Sequence, residues 1–279
     1  AVNSLWGIDT ETGIERLIVD PRDITTKGHG DLPAAEQARR ERARESAGGI
    51  TAYSIDQAGS RAAFTLGGDL FVTNTSSGSL TAIENSTGAF DPQISRDGQL
   101  LSFIVNDDVY IAPTDGSKAA LPVAQGTGGT VSWGSAEFVA AEEMRRSRGH
   151  WWDPTSKKLV VARVDVSDVP LWHIAAPNDP SRSTRLIRYP AAGTTNADVE
   201  LHIVDTDSSS RSEVVWNRST HPYLVDVTWE DDQPLTLVVQ SRDQRSMQVL
   251  ETVDDTGRTD MVLELADPDW VEIIPGTPR

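Results

Sequence analysis

The chain of 279 residues contains no cysteine. Disulfides, cysteine-ligated zinc and a cysteine nucleophile are thereby excluded. Positive charge is scarce: 25 Lys and Arg stand against 42 Asp and Glu, a formal net charge of −17. Nucleic acid, whose phosphates need clustered Lys and Arg, is not an expected partner. An acidic surface favours solubility and cationic ligands instead. No stretch approaches the ~20 consecutive apolar residues of a membrane-spanning helix, so no membrane partner is expected. The opening residues, Ala1-Val-Asn-Ser-Leu-Trp6, show no signal-peptide pattern. A cytoplasmic location is the expectation, although a start without Met is compatible with a removed leader. The five histidines (His29, His150, His173, His202 and His221) are scattered. Structural roles are expected for them, and no metal or cofactor is expected.

What is present is β-strand language. Gln99-Leu-Leu-Ser-Phe-Ile-Val105 reads as a strand between the turns Arg96-Asp97-Gly98 and Asn106-Asp107-Asp108. Val109-Tyr-Ile-Ala112 follows, and Asp115-Gly116 turns again. Asp-Gly between apolar runs signals a hairpin, because Gly takes the positive φ of a tight turn at little cost. The phrase recurs at Ile55–Thr73, Trp151–Ala162 and Val225–Val239. The first two copies lie about 40 residues apart, the period of a β-propeller blade. The expected fold is all-β: a partial β-propeller of four-stranded blades, about five or six at ~45 residues each. A β-sandwich with several hairpins is the alternative on pattern alone. Residues 267–279 read as the start of a further blade.

Two segments break the β pattern. Residues 32–47 are rich in helix formers, with Pro33 suited to the first turn and Gly48-Gly49 to a stop. Glu36 and Arg40 make a favourable i,i+4 pair, and Arg40 and Arg44 share one face. A solvated charged helix fits that composition equally. Residues 135–149 read as a short helix, with Ser135 as candidate N-cap and adjacent Glu142 and Glu143. On a strand, neighbouring side chains point to opposite faces. On a helix or turn they diverge by ~100° and can converge on one small cation. A peptide α-ammonium is such a cation, offering three donors to two carboxylates. Plain surface charge is the bland alternative.

The pair Glu142-Glu143, the strand Trp151-Trp152-Asp-Pro154 and the runs Val160–Pro170, Arg188–Val199 and Leu201–Asp207 occur in a fixed order. In this the chain resembles the N-terminal propeller of the dipeptidyl peptidase IV family of prolyl oligopeptidase-type serine peptidases. The run Arg39-Arg-Glu-Arg-Ala-Arg-Glu45 resembles the arginine helix of its cytosolic and bacterial members. The resemblance implies a substrate-recognition and gating domain, residues 1–279, in a serine dipeptidyl aminopeptidase that removes N-terminal dipeptides ending in Pro or Ala. It implies that Glu142 and Glu143 bind the peptide's free N-terminus and that an arginine, Arg40 or alternatively Arg44, contacts a substrate carbonyl. It further implies a C-terminal α/β-hydrolase domain as partner, and homo-oligomers. No Gly-x-Ser-x-Gly turn occurs here, so catalytic residues are expected outside this chain. A stand-alone, non-catalytic propeller that binds proteins or peptides is the alternative function.

Overall fold

The computed structural model describes residues 2–26, 32–126, 128–179, 181, 183–208, 210–254, 256–274 and 276. It begins with β1 (Val2–Asn3) and a hairpin of β2 (Leu5–Ile8) and β3 (Glu15–Val19). Helix α1 (Ala34–Arg42) and the short β4 (Gly48–Gly49), which pairs with β1, complete this N-terminal part. Four antiparallel sheets follow in series. Blade one is β5 (Tyr53–Ile55), β6 (Arg61–Leu66), β7 (Asp69–Asn74) and β8 (Leu80–Ala82). Blade two is β9 (Phe90–Ile94), β10 (Leu100–Val105), β11 (Asp108–Pro113) and β12 (Leu121–Ala124). Blade three is built from β13 (Val131–Trp133), β14 (His150–Trp152), β15 (Lys158–Asp165), β18 (Asp198–Asp205) and β19 (Arg211–Val214). It also carries helix α2 (Phe138–Glu143) and a projecting hairpin of β16 (Leu171–Ile174) and β17 (Arg185–Arg188). Blade four is β20 (Tyr223–Thr228), β21 (Thr236–Gln240), β22 (Ser246–Thr252) and β23 (Thr259–Ala266).

The tight turns follow from the sequence. Gly67 and Gly68 join β6 to β7, and Asn106 and Asp107 join β10 to β11, all four with positive φ. Two consecutive positive φ values make the turn whose twist matches paired strands, and Gly, Asn and Asp are the residues that tolerate it. Each blade alone would leave both faces wet, so the blades bury them against one another. Phe103, Leu101 and Leu70 lie in the core between blades one and two; Val109, Leu159 and Trp133 lie between two and three. Leu201, Leu224 and Leu237 lie between three and four. The first strands of successive blades meet as well, β5 with β9 and β9 with β14. Stacked four-stranded sheets with their first strands gathered at one side are the propeller arrangement.

Several sequence expectations are corrected. Among the described residues there are four blades, not five or six, because blade three absorbs two inserts and residues 2–50 form two-stranded pairs and α1 instead of a blade. Helix α1 ends at Arg42, well short of residue 47; Gly48-Gly49 is a strand and not its stop. Arg44 has left the helix, with φ 52°, so it does not share a helical face with Arg40. The N-cap position of α2 is occupied by Glu137, not Ser135, which instead bridges to Arg148. The described residues after β23 form no strand: the amide of Val271 donates to Gln244 O at 2.7 Å, and Gln240 Nε2 donates to Val271 O at 3.0 Å. His29 lies outside the described residues.

Candidate functional site

Strands β13 and β14 pair with one and the same strand, β15: Trp133 lies opposite Arg163 and His150 opposite Val161. Ala162, between those partners, serves both. It accepts from the Gly134 amide at 2.9 Å and donates to Gly149 O at 2.7 Å. The first strand of blade three is therefore a single strand interrupted opposite one residue, and residues 134–149 form an excursion from that point. Its neck is tight. A Cβ on Gly149 would lie 2.6 Å from Gly134 C and Ser135 N, so only glycine fits. Fully buried His150 places Nδ1 3.1 Å from Gly134 O at the same place. Burial holds its pKa below the ordinary value, against the pull of nearby Asp91.

Helix α2 crowns the excursion. Its apolar side, Ala140 and Met144, packs on Val225, Val238 and Met247 of blade four. The polar side presents Glu142 and Glu143, both exposed, at the last turn. Carbonyls at a helix C-terminus carry partial negative charge, so these carboxylates sit where a cation is favoured. One organic cation is already there: Arg42 Nε donates to Glu142 Oε1. The Arg42 guanidinium also stands over the Phe138 ring, 5.8 Å from its centroid. Phe138 meets Tyr189 edge-on at 5.2 Å, and Tyr189 meets Trp172 of β16 at 5.1 Å. An aromatic row thus ties the excursion to the projecting hairpin. Glu143 borders a cavity of about 300 Å³ with Arg145, Gln240, Gln244 and Trp270.

On α1 the arginines divide their tasks. Glu36 is buried and takes both Arg39, with Nε at 2.7 Å, and Arg40, with Nε at 2.8 Å. Burial pushes the Glu36 carboxyl up, but hydrogen bonds from Arg39 and Arg40 outweigh it and hold the group below its ordinary value. Arg40 is thus committed within its own helix, Arg44 is exposed beyond it, and Arg42 reaches the glutamate pair. The structure joins Glu142 to α1 through Arg42, whereas Glu143 faces the cavity beside Trp270. Sequence reasoning missed Arg42 and the aromatic row. Phe138 lies in the segment 135–149 and Tyr189 in the run Arg188–Val199, neither with an assigned role, and nothing local separates Arg42 from its neighbours.

The fold is a propeller with a two-carboxylate helix set into a split strand and an arginine helix against it. The chain belongs to the family described as "Dipeptidyl peptidase IV (DPP IV) N-terminal region", which it matches over residues 55–275. It is 28% identical over 177 residues to a putative dipeptidyl aminopeptidase of Schizosaccharomyces pombe, covering 58% of this chain and 22% of that protein. It is 23% identical over 182 residues to the inactive dipeptidyl peptidase 10 of Rattus norvegicus, covering 62% of this chain and 23% of that one. It spans only about a quarter of the length of these relatives. In fold it is similar to the crystal structure of Porphyromonas gingivalis dipeptidyl peptidase 4, with a TM-score of 0.69 at 17% identity over 80% of this chain and 33% of that one.

Proposed function

We propose that this chain is the substrate-recognition and gating portion of a serine dipeptidyl aminopeptidase, and that Glu142 and Glu143 bind the α-ammonium of a peptide. The observation that carries this reading is the exposed carboxylate pair at the end of α2, with a nitrogen cation already seated on Glu142. An ammonium donates the same kind of charged N–H and is small enough to be shared by neighbouring carboxylates. A clamp fixed on a blade measures length from the peptide's amino end, so a hydrolase domain elsewhere in the parent chain would cut at a set distance. Arg40 or Arg44 is the proposed donor to a substrate carbonyl; Arg42 joins them as a candidate because it already reaches the clamp. A guanidinium offers several donors in fixed geometry for that task.

The test is kinetic. In the full-length parent chain, Glu142→Ala and Glu143→Ala should each lower kcat/KM for Ala-Pro or Gly-Pro amides roughly 10- to 100-fold, the worth of a charge-assisted hydrogen bond. Unchanged kcat/KM in both would sink the clamp. A relative named as inactive keeps a second reading alive, a propeller that binds peptides without turnover. Under it the parent chain binds Ala-Pro peptides but hydrolyses none.

A further inference from the structure

We infer that the buried pair Glu137 and Arg146 is the positioning brace of the amine clamp, fixing where α2 holds Glu142 and Glu143. The inference rests on the clamp function proposed above. Glu137 stands at the N-cap of α2, yet its side chain makes no capping hydrogen bond. It turns inward and meets Arg146, with Oε2 and Nη2 3.6 Å apart. Both residues are 6% exposed. Arg146 spends its remaining donors on three parts of the molecule. Nε donates to Leu224 O in blade four at 3.1 Å. Nη1 donates to Arg148 O in the returning limb at 2.8 Å, and the Arg146 amide donates to Ala140 O within α2 at 3.1 Å. The two residues flank α2 in sequence and close on each other beneath it. The glutamate pair lies between them.

Stability does not account for this arrangement. A buried ion pair seldom repays its desolvation, and an apolar pair of similar volume is often neutral or better. Neither Glu137 Oε2 nor Arg146 Nη2 has a hydrogen-bond partner within the described residues. Burial pushes the Glu137 carboxyl up and the Arg146 guanidinium down, and each leans on the other's charge. Such a pair does specify a single arrangement, whereas the apolar contact beside it does not. Ala140 and Met144 on Val225 and Met247 form a non-directional contact, with methionine adaptable on both sides. That seat alone would let α2 slide; a planar guanidinium bound to two carbonyls does not.

The experiment compares substrates in the full-length parent chain. The readout is the ratio of kcat/KM for Ala-Pro amide to that for its N-acetyl form, which lacks the ammonium. Two brace variants are made: the isosteric Glu137→Gln, and the double replacement Glu137→Leu with Arg146→Met. Each is expected to lower the ratio roughly 10- to 100-fold, the consequence of misplacing a binding group by about an ångström. The double variant is expected to keep or raise the unfolding temperature, which a merely structural role would not combine with a lost ratio. An unchanged ratio in the folded variants overturns the brace, and Glu137→Gln decides alone if the double variant does not fold. Glu142→Gln and Glu143→Gln serve as controls. If they lower the ratio and the brace variants do not, only the brace falls. If they too leave it unchanged, the clamp falls with it.

Discussion

Blades two and three share one frame and differ in what interrupts it. Blade two runs from Phe90 to Ala124 with turns as its only connections. Blade three runs from Val131 to Val214 and adds α2 between the halves of its first strand and the β16–β17 hairpin between later ones. In blade two, charged side chains such as Asp97 and Asp108 serve turns: Asp97 accepts from Ser95 and Gln99, and Asp108 accepts from the Gly126 amide. In blade three, by contrast, Glu137 and Arg146 are buried within an excursion and Glu142 and Glu143 are displayed on it. The difference places the exposed carboxylates on what blade three adds and the packed core in what both blades share.

Substitutions that separate these two contributions sharpen the contrast. Phe103→Ala in blade two empties a fully buried site in the core shared with blade one. It should cost about 3–5 kcal/mol of stability in urea denaturation. A loss below 1 kcal/mol would break the claim that the shared frame carries the strength. Gly149→Ala in blade three forces a Cβ onto the backbone of Gly134 and Ser135. Its cost should be smaller, about 1–3 kcal/mol. Amide exchange should speed up most at Ala162 and His150, and a uniform increase over all blades would show that the neck is not a local device. The smallest effect concerns pH. His150 is held neutral by burial, so its folded pKa lies below the unfolded value. The unfolded chain then binds the extra proton first, and the contribution from His150 is present above about pH 6.5 and lost as pH falls below it. His221, also lowered by burial, adds a slope of the same sign. His150→Gln should flatten part of the decline in unfolding temperature between about pH 6.5 and 5. An unaltered slope would assign it to other groups.

The sequence made some of this legible, for local reasons. Asp97-Gly98, Gly67-Gly68 and Asn106-Asp107 announce their hairpins because positive φ is a property of the residues themselves. Glu36 and Arg40 meet as their spacing predicts. The adjacent glutamates do lie on a helix, where their side chains leave from one turn. What stayed hidden depends on distant partners. That Val131–Trp133 and His150–Trp152 are halves of one strand is decided by β15, which follows both in sequence. Which arginine of α1 reaches Glu142 depends on how the helix is rotated against α2, and Arg39, Arg40, Arg42 and Arg44 look alike until it docks. The blade count erred because a fixed repeat length cannot see an insert. Residues 267–279 read as the start of a further blade, but the described ones among them spend Val271 on Gln240 and Gln244.

The neck opposite Ala162 has a consequence for how such a chain can change. Because the excursion leaves and rejoins within the width of a single sheet residue, its ends are already held together, and lengthening a loop between fixed ends costs only slowly more. A segment of another length or chemistry spliced between Gly134 and Gly149 would need no strand to shift register. Blade three can therefore exchange the whole segment between Gly134 and Gly149 while the propeller around it stays constant.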